Sequence, residues 1–570
     1  MYIFHKAWHV YRMEGLRGVV REATMRLLHG TTYDKLQRAK SAEYMKWFRS
    51  QQATAEELSR QRGEKWAQAP LMSIVVPTYN VRREYLQVLV QSVQAQTYEK
   101  WEMLLADGAS SAPASLSALR EAEAADSRIK VLYLENNRGI SGNTNAAIAE
   151  ARGDCIVFSD HDDIIEPDAL YWLAKATVEQ GADLIYTDED KVDEKGRIYY
   201  EPHLKPDWSP DTICSCNYIN HLTAVSRKAL QAAGGLNSEF DGSQDHEFVL
   251  RVADGTTPDK IVHVPRVLYH WRQFRHSMSK QKLEVCQAAG RRAVREHKER
   301  QGTSCHVTQN HGYRVVPEQT DMGAGISVIM LSEGGRQDAA SCLGRWQEAD
   351  EGFLKEIILV GGSCQADTEA GIRTVSGGDS VYAGLNRAAS EAAGSYLLFT
   401  LTGAVPRKSS RTGQVCAPLK ELAMYACQPG IGAVGGGLFL ADGRFYYATD
   451  YLVEGEPKLH YYGHDSFKIA RGGLERIVRN VSALPLGLFM VSKKLFLEMG
   501  GFDEAYRESL GEVDFCLRLL KAGRRVIYIP FAEVLLTAVS GRKDPQADDA
   551  AMFMARWPDC HERYYKEEVV

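Results

Sequence analysis

Short apolar runs alternate with amphipathic segments in the first half of the chain, and this alternation predicts strands separated by helices. The apolar runs are Ser73–Pro77, Trp101–Asp107, Ile129–Leu134 and Cys155–Phe158. Between them, Arg83–Gln96 and Ser141–Ala151 carry apolar residues at helical spacing. A strand, a helix and a second strand at this spacing form a parallel crossover, so the pattern predicts an α/β fold with a mostly parallel sheet.

The second half of the chain repeats the pattern of the first. Ser327–Leu331 matches Ser73–Pro77, and Glu356–Gly362 matches Glu102–Gly108 at the same offset. The further matching pairs are Asn386–Gly394 with Asn145–Gly153, Tyr396–Gly403 with Cys155–Asp162, Gly500–Asp503 with Gly234–Asn237, and Gly511–Arg518 with Gln244–Arg251. The sequence therefore predicts a helical segment at 1–68, followed by two tandem α/β domains at 69–318 and 319–570. Residues 284–317 are low in Gly and Ser and predict a packed junction.

Three carboxylates, Asp160, Asp162 and Asp163, follow the apolar run Cys155–Phe158. Alternate side chains of an extended stretch point the same way, so we expect Asp160 and Asp162 to converge on one hard cation. Carboxylates this close would otherwise raise one another's pKa, and a bound Mg²⁺ or Mn²⁺ removes that conflict. The alternative is a turn that is rich in Asp because Asp tolerates turns.

Polar residues also follow two other strands. Asp107 ends one apolar run and Pro77–Asn80 ends another. The carboxyl ends of strands in open α/β sheets are where nucleotides bind, so three strand ends predict one polar crevice. Taken alone, Asp107 fits a turn beside Gly108 equally well. Asp245 stands near a predicted helix N-terminus, where it could serve as a cap.

Composition narrows the class of protein. The 570 residues are 44% hydrophobic and 25% charged, as in ordinary globular proteins. A net charge of -6 gives no support to a nucleic-acid partner. The 11 cysteines include no Cys-x-x-Cys pair, so we expect reduced thiols without a disulfide framework or a zinc site. Without a long apolar run or a signal-like start, we expect a cytoplasmic protein.

The N-terminal segment is basic. Residues 1–30 contain five Lys or Arg and two Glu, and Arg17, Arg21 and Arg26 lie near one helical face. This face suits peripheral contact with the anionic inner face of the cell membrane. Packing of the helix against the body of the protein fits the same pattern equally well.

Five motifs occur in the order found in family 2 glycosyltransferases of the GT-A fold, which residues 70–318 resemble. The motifs are Pro77–Asn80, Ala106–Gly108, Asn137–Gly139 with Asn145, Asp160–Asp163 and Gln244–Asp245. Three further stretches are similar to bacterial transferases of surface-polysaccharide assembly, including rhamnosyltransferases: Tyr186–Lys191, Lys205–Pro210 and Tyr269–Arg272.

The resemblance implies an inverting, metal-dependent transfer of a sugar from a UDP- or dTDP-sugar donor to a saccharide or lipid-linked glycan acceptor. It implies that Pro77, Thr78, Tyr79, Asp107, Asn137 and Gly139 hold the donor, with Asp160 and Arg272 at its diphosphate. Mn²⁺ or Mg²⁺ would be held by Asp160 and Asp162, with His270 as a third ligand or a donor to the diphosphate. Asp245 is the expected general base. The family commonly has Glu-Asp where this chain has Gln244-Asp245, which leaves the role of the first carboxylate in doubt.

The second half resembles the same family but lacks its carboxylates. Leu401 stands in place of Asp160, Gly403 in place of Asp162 and Gly361 in place of Asp107, whereas Glu512 stands opposite Asp245. We therefore expect a degenerate second domain. We expect this domain to be structural or to help hold an acceptor chain, and the alternative is a second, metal-independent transferase. For the chain as a whole, the alternatives are a carbohydrate-binding scaffold and a nucleotidyltransferase. The last is disfavoured because no Gly-rich phosphate loop follows the first strand.

Overall fold

A computed structural model of the chain describes residues 41–274, 283–309, 311–332, 342, 344–361, 372–408, 415–447, 449–453, 456–460, 474–537 and 545–564. The expected basic helix at residues 1–30 lies outside this part of the chain. Helix α1 occupies residues 41–51 and α2 is Ala55–Gly63, so the described end of the N-terminal segment is helical. No described helix combines the length and the apolar character needed to cross a bilayer.

The first sheet is mixed, and its parallel strands are those that the apolar runs predict. Its strands are β1 (Met72–Thr78), β2 (Trp101–Asp107), β3 (Ile129–Tyr133), β4 (Cys155–Phe158), β5 (Ile164–Ile165), β6 (Leu184–Val192), β7 (Tyr199–His203), β8 (Thr223–Ser226) and β9 (Ile261–Arg272). They are arranged in the order β3-β2-β1-β4-β8-β6-β9-β5, with β7 beside β6. The four neighbours β3, β2, β1 and β4 are parallel, so their carboxyl ends share one edge.

Helices cover both faces of this sheet. They are α3 (Arg83–Gln94), α4 (Pro113–Ala125), α5 (Gly139–Glu150), α6 (Ala169–Gln180), α7 (Pro210–Ser215), α8 (Arg227–Ala233) and α9 (Gln244–Asp254). One core contains Ile74, Val76 and Leu105 with side chains from α3, α4 and α6, and the other contains Val75, Leu104 and Ala106 with side chains from α5 and α9. Neighbouring residues of one strand enter opposite cores because side chains alternate across a strand.

A packed junction follows the first sheet, as the sequence predicts. It consists of α10 (Leu283–Arg300) and a hairpin of β10 (Cys305–Gln309) and β11 (Tyr313–Pro317). Helix α10 packs against α9.

The second sheet has the same strand order as the first. Its strands are β12 (Ile326–Leu331), β13 (Leu354–Val360), β14 (Ile372–Val375), β15 (Tyr396–Leu401), β16 (Ala404–Pro406), β17 (Ile431–Phe439), β18 (Phe445–Tyr447), β21 (Arg479–Asn480), β22 (Leu488–Ser492) and β23 (Arg525–Leu536), while β19 (Thr449–Val453) and β20 (Glu456–His460) form a separate pair. The order β14-β13-β12-β15-β22-β17-β23-β16, with β18 beside β17, matches the nine strands of the first sheet, and β21, paired with β23, is an addition. Its helices are α11 (344–348), α12 (Val381–Glu391), α13 (Pro418–Ala426), α14 (Lys493–Glu498), α15 (Gly511–Lys521) and α16 (Ala547–Arg556).

Identical side-chain contacts recur at equivalent positions of the two halves. Asn145 makes two hydrogen bonds of 2.8 Å to the backbone of Leu236, and Asn386 bonds the backbone of Phe502 at 2.8 and 2.9 Å in the same way. The structure thus confirms the α/β class and the internal repeat. The exact domain boundaries stay a prediction.

Candidate active site

A cleft lies at the carboxyl ends of β1 and β4. The N-terminal turns of α5 and α9 and the segment before β8 form its other walls. It brings together three of the predicted site residues, Pro77, Asp160 and Asp245, which come from distant parts of the chain. The edge where parallel strands end is the usual ligand position in open α/β sheets.

Asp160, Asp163 and His221 form a cluster at one end of this cleft. Each offers one ligand atom, and these atoms all lie within 4.8 Å of one another. The His221 ring nitrogen Nε2 is 3.9 Å from Asp160 Oδ2. Carboxylate oxygens with one imidazole form a donor set that Mn²⁺ accepts readily, and Mg²⁺ accepts the oxygens.

The electrostatics of these carboxylates favour a cation. Burial raises the pKa of Asp162, and the neighbouring Asp160 raises it further. Burial also raises the pKa of Asp163 well above its usual range, and Asp162 and Asp160 add to that increase. A divalent cation would offset this crowding of negative charge, so the residues present fit the metal that the family resemblance implies.

Strand register explains why His221 meets Asp160. Strands β4 and β8 are antiparallel, and Phe158 lies opposite Thr223. Asp160, two residues after Phe158, and His221, two residues before Thr223, therefore face one another beyond the sheet edge. The His221 ring also stacks on Tyr269, with centroids 4.8 Å apart.

A buried ion pair holds the backbone at His221. Glu189 Oε2 lies 3.2 Å from Lys205 Nζ and accepts the backbone N–H of His221 at 3.0 Å. Lys205 Nζ in turn donates to the carbonyl groups of Ile219 and His221. Burial alone would raise the pKa of Glu189, but Lys205 and His203 hold it well below its usual range. The pair is therefore ionised, and it holds both polar backbone groups of His221: Glu189 accepts the N–H and Lys205 donates to the carbonyl.

The carboxylates Asp162 and Asp163 are tied to the end of β9. The Tyr269 hydroxyl donates to Asp163 Oδ2 at 2.5 Å, and the backbone N–H of Arg272 donates to Asp163 Oδ1 at 2.7 Å. Arg272 Nε donates to the carbonyl of Asp162 at 2.6 Å. Arg272 Nη2 is buried and has no partner among the described groups, so the predicted contact between Arg272 and the diphosphate stays open.

His270 is not placed at the metal cluster, and its prediction as a metal ligand or diphosphate donor is wrong. Its ring is fully buried, with Nδ1 at 2.6 Å from Asp190 and Nε2 at 3.0 Å from Glu166. Burial alone would lower the pKa of His270, but these two carboxylates raise it to about 10. Both ring nitrogens are engaged, so neither has a lone pair to offer a cation. Along a strand, neighbouring side chains point to opposite faces, and His270 faces away from Tyr269 and the cleft.

Asp162 keeps its place beside Asp160 in the loop but is not part of the three-residue cluster, in which Asp163 stands instead. The expected alternation therefore does not persist beyond β4, because the loop turns at His161–Asp162. Asp162 as a direct metal ligand stays a prediction.

The predicted donor-binding residues lie beside the cleft. The buried Asp107 accepts the Ser110 hydroxyl at 2.5 Å and the Ser110 backbone N–H at 3.0 Å, which fixes the turn after β2. Thr78 Oγ1 lies 3.5 Å from Asp107, and Tyr79 is half exposed. The carboxylate thus shapes the turn, and its contact with a nucleoside stays a prediction.

Asn137 and Gly139 shape the loop that leads into α5. Asn137 Oδ1 accepts the backbone N–H of Gly139 at 3.0 Å and the Asn143 side chain at 3.1 Å. Gly139 has a φ of +75°, and a Cβ there would lie 2.8 Å from Asp241 Oδ2. Only glycine satisfies both conditions, which explains why this position carries no side chain.

Asp245 stands in the first turn of α9 and faces the cleft. Asn217 Nδ2 donates to its Oδ2 at 3.0 Å, which orients the carboxylate and leaves Oδ1 without a hydrogen bond among the described residues. The neighbouring Gln244 accepts the backbone N–H of Gly242 at 2.7 Å. Gln244 therefore stabilises a turn, a role that needs no charge.

The second half replaces every member of the metal cluster. By the matched registers, Leu401 corresponds to Asp160, Ala404 to Asp163 and Gly487 to His221. Glu512, opposite Asp245, accepts a hydrogen bond from the Tyr382 hydroxyl, and burial raises its pKa. Tyr382 belongs to a core with Phe399, Phe489 and Phe502. Apolar packing thus surrounds the position where the first half has its cleft.

Asn217, His221 and the pair Glu189–Lys205 were not identified from the sequence as site residues. Asn220 and His221 are a polar pair separated from β8 by Leu222, and β8 returns antiparallel to β4. That signal becomes readable only once the pairing of β4 with β8 is known.

Residues 73–230 match the family model described as Glycosyl transferase family 2. The chain is 31% identical over 519 residues to an uncharacterized protein, y4gI, of Sinorhizobium fredii, covering 86% of this chain and 55% of that protein. It is 30% identical over 509 residues to the O-antigen biosynthesis protein RfbC of Myxococcus xanthus, covering 85% of this chain and 39% of that protein. The chain thus spans about half or less of these curated relatives. A crystal structure of Staphylococcus aureus TarS 1-349 in complex with UDP-GlcNAc aligns with a TM-score of 0.33 and 18% identity, over 40% of this chain and 72% of that one.

Proposed function

Because residues 73–230 form a domain of glycosyl transferase family 2, we propose that the first α/β domain transfers a sugar from a nucleoside-diphosphate donor to a glycan acceptor. The donor is a UDP- or dTDP-sugar, and the acceptor is a saccharide or a lipid-linked glycan in bacterial surface-polysaccharide synthesis. The relative named for O-antigen biosynthesis supports this setting. The observation that carries the proposal is the cleft lined by Asp245 together with Asp160 and His221, two members of the cluster that Asp163 completes.

The cation site is the first part of the proposed mechanism. Asp160 and His221 would hold Mn²⁺ or Mg²⁺, with Asp163 at the third corner of the cluster. When bound, the cation supplies electrostatic stabilisation for the charge on the departing diphosphate. Asp163 remains bonded to Tyr269 and to the backbone of Arg272, which keeps the cluster rigid. Few protein ligands suffice, since phosphate oxygens and water complete the coordination.

The base is the second part. Asp245 accepts the proton of the acceptor hydroxyl as that oxygen attacks the anomeric carbon, and direct displacement inverts the configuration there. Asn217 holds the carboxylate in position through its 3.0 Å hydrogen bond. The base and the cluster line the same cleft, so a sugar between them is reached by the acceptor on one side and loses its diphosphate on the other.

The second domain takes no direct part in this chemistry. Its equivalent positions carry Leu401, Ala404 and Gly487, which offer no side-chain ligand for a cation. Loss of all three members together is far more readily explained by loss of the site than by a change of metal. We therefore propose one active domain per chain and not a bifunctional transferase.

Calorimetric titration with UDP, and separately with dTDP, tests the proposal. We expect one site per chain that requires Mn²⁺, disappears with a chelator, and is abolished by Asp160→Asn. The matched control is Glu512→Gln, which removes the retained carboxylate of the second half and should leave binding unchanged. Two sites, or binding that survives Asp160→Asn, would show that the second half holds a nucleotide. Absence of any site in the unaltered protein would favour a carbohydrate-binding scaffold.

A further inference from the structure

The second domain contacts the first at the segment that leads to the active site. Asn480, on β21, is buried and forms hydrogen bonds with the start of α7. Its Oδ1 accepts the backbone N–H groups of Asp211 at 2.9 Å and Thr212 at 3.3 Å. Its Nδ2 donates to Asp211 Oδ2 at 2.9 Å, and its backbone N–H donates to Thr212 Oγ1 at 3.0 Å. One side chain and its backbone thus make four hydrogen bonds to two residues of the other domain.

Further polar contacts from the second domain reach the same segment. Arg525 Nε lies 3.0 Å from Asp211 Oδ2. The carbonyl of Arg563 accepts the backbone N–H of Asp207 at 2.7 Å. Residues 207–212 are therefore held by the second domain from three separate places in its sequence.

Helix α7 connects these contacts of the second domain to the active site. The carbonyl of Thr212 accepts the backbone N–H of Cys216 at 3.0 Å. The next residue, Asn217, donates to Asp245 at 3.0 Å. The Tyr218 hydroxyl accepts the backbone N–H of Ser209 at 2.9 Å, which ties the end of the segment back to its beginning. His221 follows only three residues later. Movement of α7 would thus displace the partner of the base and the histidine of the cation cluster together.

We propose that Asn480 is a positioning residue, and that the second domain acts as a brace that holds residues 207–221 in the geometry that transfer requires. This role rests on the proposed function for its activity readout. It explains how a domain without the cation ligands contributes to the reaction, because precise placement of catalytic groups has a large effect on rate. Hydrogen bonds and the backbone of α7 connect Asn480 to Asn217 and Asp245 without a gap, and this connection couples the second domain to the active site.

The test compares Asn480→Ala with Asn386→Ala in the full chain. Asn386 is a matched control because it also makes two backbone hydrogen bonds, but within the second domain. Hydrogen exchange should become faster in residues 207–222 of the Asn480 variant and stay at the wild-type rate there in the Asn386 variant. We also expect kcat for sugar transfer to fall about tenfold or more in the Asn480 variant. Donor KM should change less, because Thr78 and Asp107 lie on β1 and β2.

Equal exchange of residues 207–222 in the two variants, or a wild-type kcat in the Asn480 variant, would overturn the proposal. Should Asn480→Ala fail to fold, Asp211→Asn weakens the same contact from the first domain while keeping the shape of the side chain. The exchange measurement needs no substrate. It therefore decides whether the brace exists even if the chain proves to catalyse a different reaction.

Discussion

His221 Nε2 lies 3.9 Å from Asp160 Oδ2, although Asp160 follows β4 and His221 precedes β8, about 60 residues further along the chain. Antiparallel pairing of β4 with β8 places them opposite each other, and Glu189 and Lys205 fix the backbone of His221. At the equivalent place in the second half stand Leu401 and Gly487. The same sheet therefore carries a carboxylate–histidine cluster in the first half and apolar side chains in the second, and a few substitutions account for the difference.

Replacement of His221 by Ala should lower the affinity for Mn²⁺ more than about tenfold, because the cluster loses its nitrogen ligand. Calorimetry with the metal alone measures the change. The control is His306→Ala, an exposed histidine on β10. Equal Mn²⁺ affinity in both variants would restrict His221 to its stacking contact with Tyr269.

Replacement of Asp245 by Asn should leave UDP binding intact and lower the transfer rate about 100-fold or more, the usual contribution of a general base. Asn keeps the size of the side chain but cannot take the proton. Nucleotide affinity by calorimetry and release of nucleoside diphosphate with acceptor present separate the two effects. The exposed Asp259 provides the control Asp259→Asn. Turnover at the wild-type rate would exclude Asp245 as the base.

Replacement of Lys205 by Met should lower the free energy of unfolding by about 3–5 kcal/mol at neutral pH, because Glu189 is left buried without its partner. Urea denaturation measures it. Lys191→Met is the matched control, since Lys191 pairs with Glu201 at 2.7 Å at a partly exposed site, where the loss should be about 1 kcal/mol or less.

The pH dependence of the Lys205 variant follows from the same pair. In the wild type the pKa of Glu189 is lowered, so its contribution to stability is present at neutral pH and lost on acidification. Without Lys205, burial raises the pKa of Glu189, so acidification neutralises a costly buried charge and stabilises the variant. The difference in unfolding free energy between the two proteins should therefore narrow as the pH falls, first above the ordinary glutamate pKa of about 4.3, where the variant gains stability, and then below it, where the wild type loses stability. A constant gap would mean that the pair is not ionised.

The raised pKa of His270 predicts that the protein loses stability at alkaline pH. Its pKa is raised to about 10 by Asp190 and Glu166, against the effect of burial. Its contribution is complete below the unfolded pKa of about 6.5 and is lost as the pH rises toward the folded value. Over that window, His270 should contribute a decrease of about 1.4 kcal/mol per pH unit.

His270→Gln should remove this component of the slope and leave the Mn²⁺ affinity at the wild-type value. Chemical denaturation at a series of pH values measures the slope. An unchanged slope would contradict the buried ion pair, and weaker Mn²⁺ binding would return His270 to the metal site.

Elements with a strong local pattern were predictable from the sequence. Strand β1 contains the predicted run Ser73–Pro77, and α5 (Gly139–Glu150) overlaps the predicted Ser141–Ala151. The repeat was also readable, because the matched segments recur in the same order, although the stretch from β12 to β15 is 13 residues shorter than that from β1 to β4. Asp160 could be proposed from its position at a strand end, which is a local property, whereas Asp245 was proposed from the family resemblance.

The two histidines His270 and His221 show where prediction from local sequence patterns fails. His270 was chosen because it follows a strand within a recognisable motif, yet the side-chain alternation of β9 turns it into a buried network with Asp190. His221 carries no local signal. It reaches the cleft because β8 runs antiparallel to β4 and because a distant ion pair fixes its backbone.

By itself the sequence determined the α/β class, the duplication, the family and the carboxylates at the sheet edge, since all of these depend on order and spacing along the chain. Only the tertiary structure decided which histidine joins those carboxylates and what the second domain touches. Both depend on strand pairing and on contacts between residues far apart in sequence, such as Asn480 with Asp211. Such contacts form when the whole sheet folds, and no local pattern of residues encodes them.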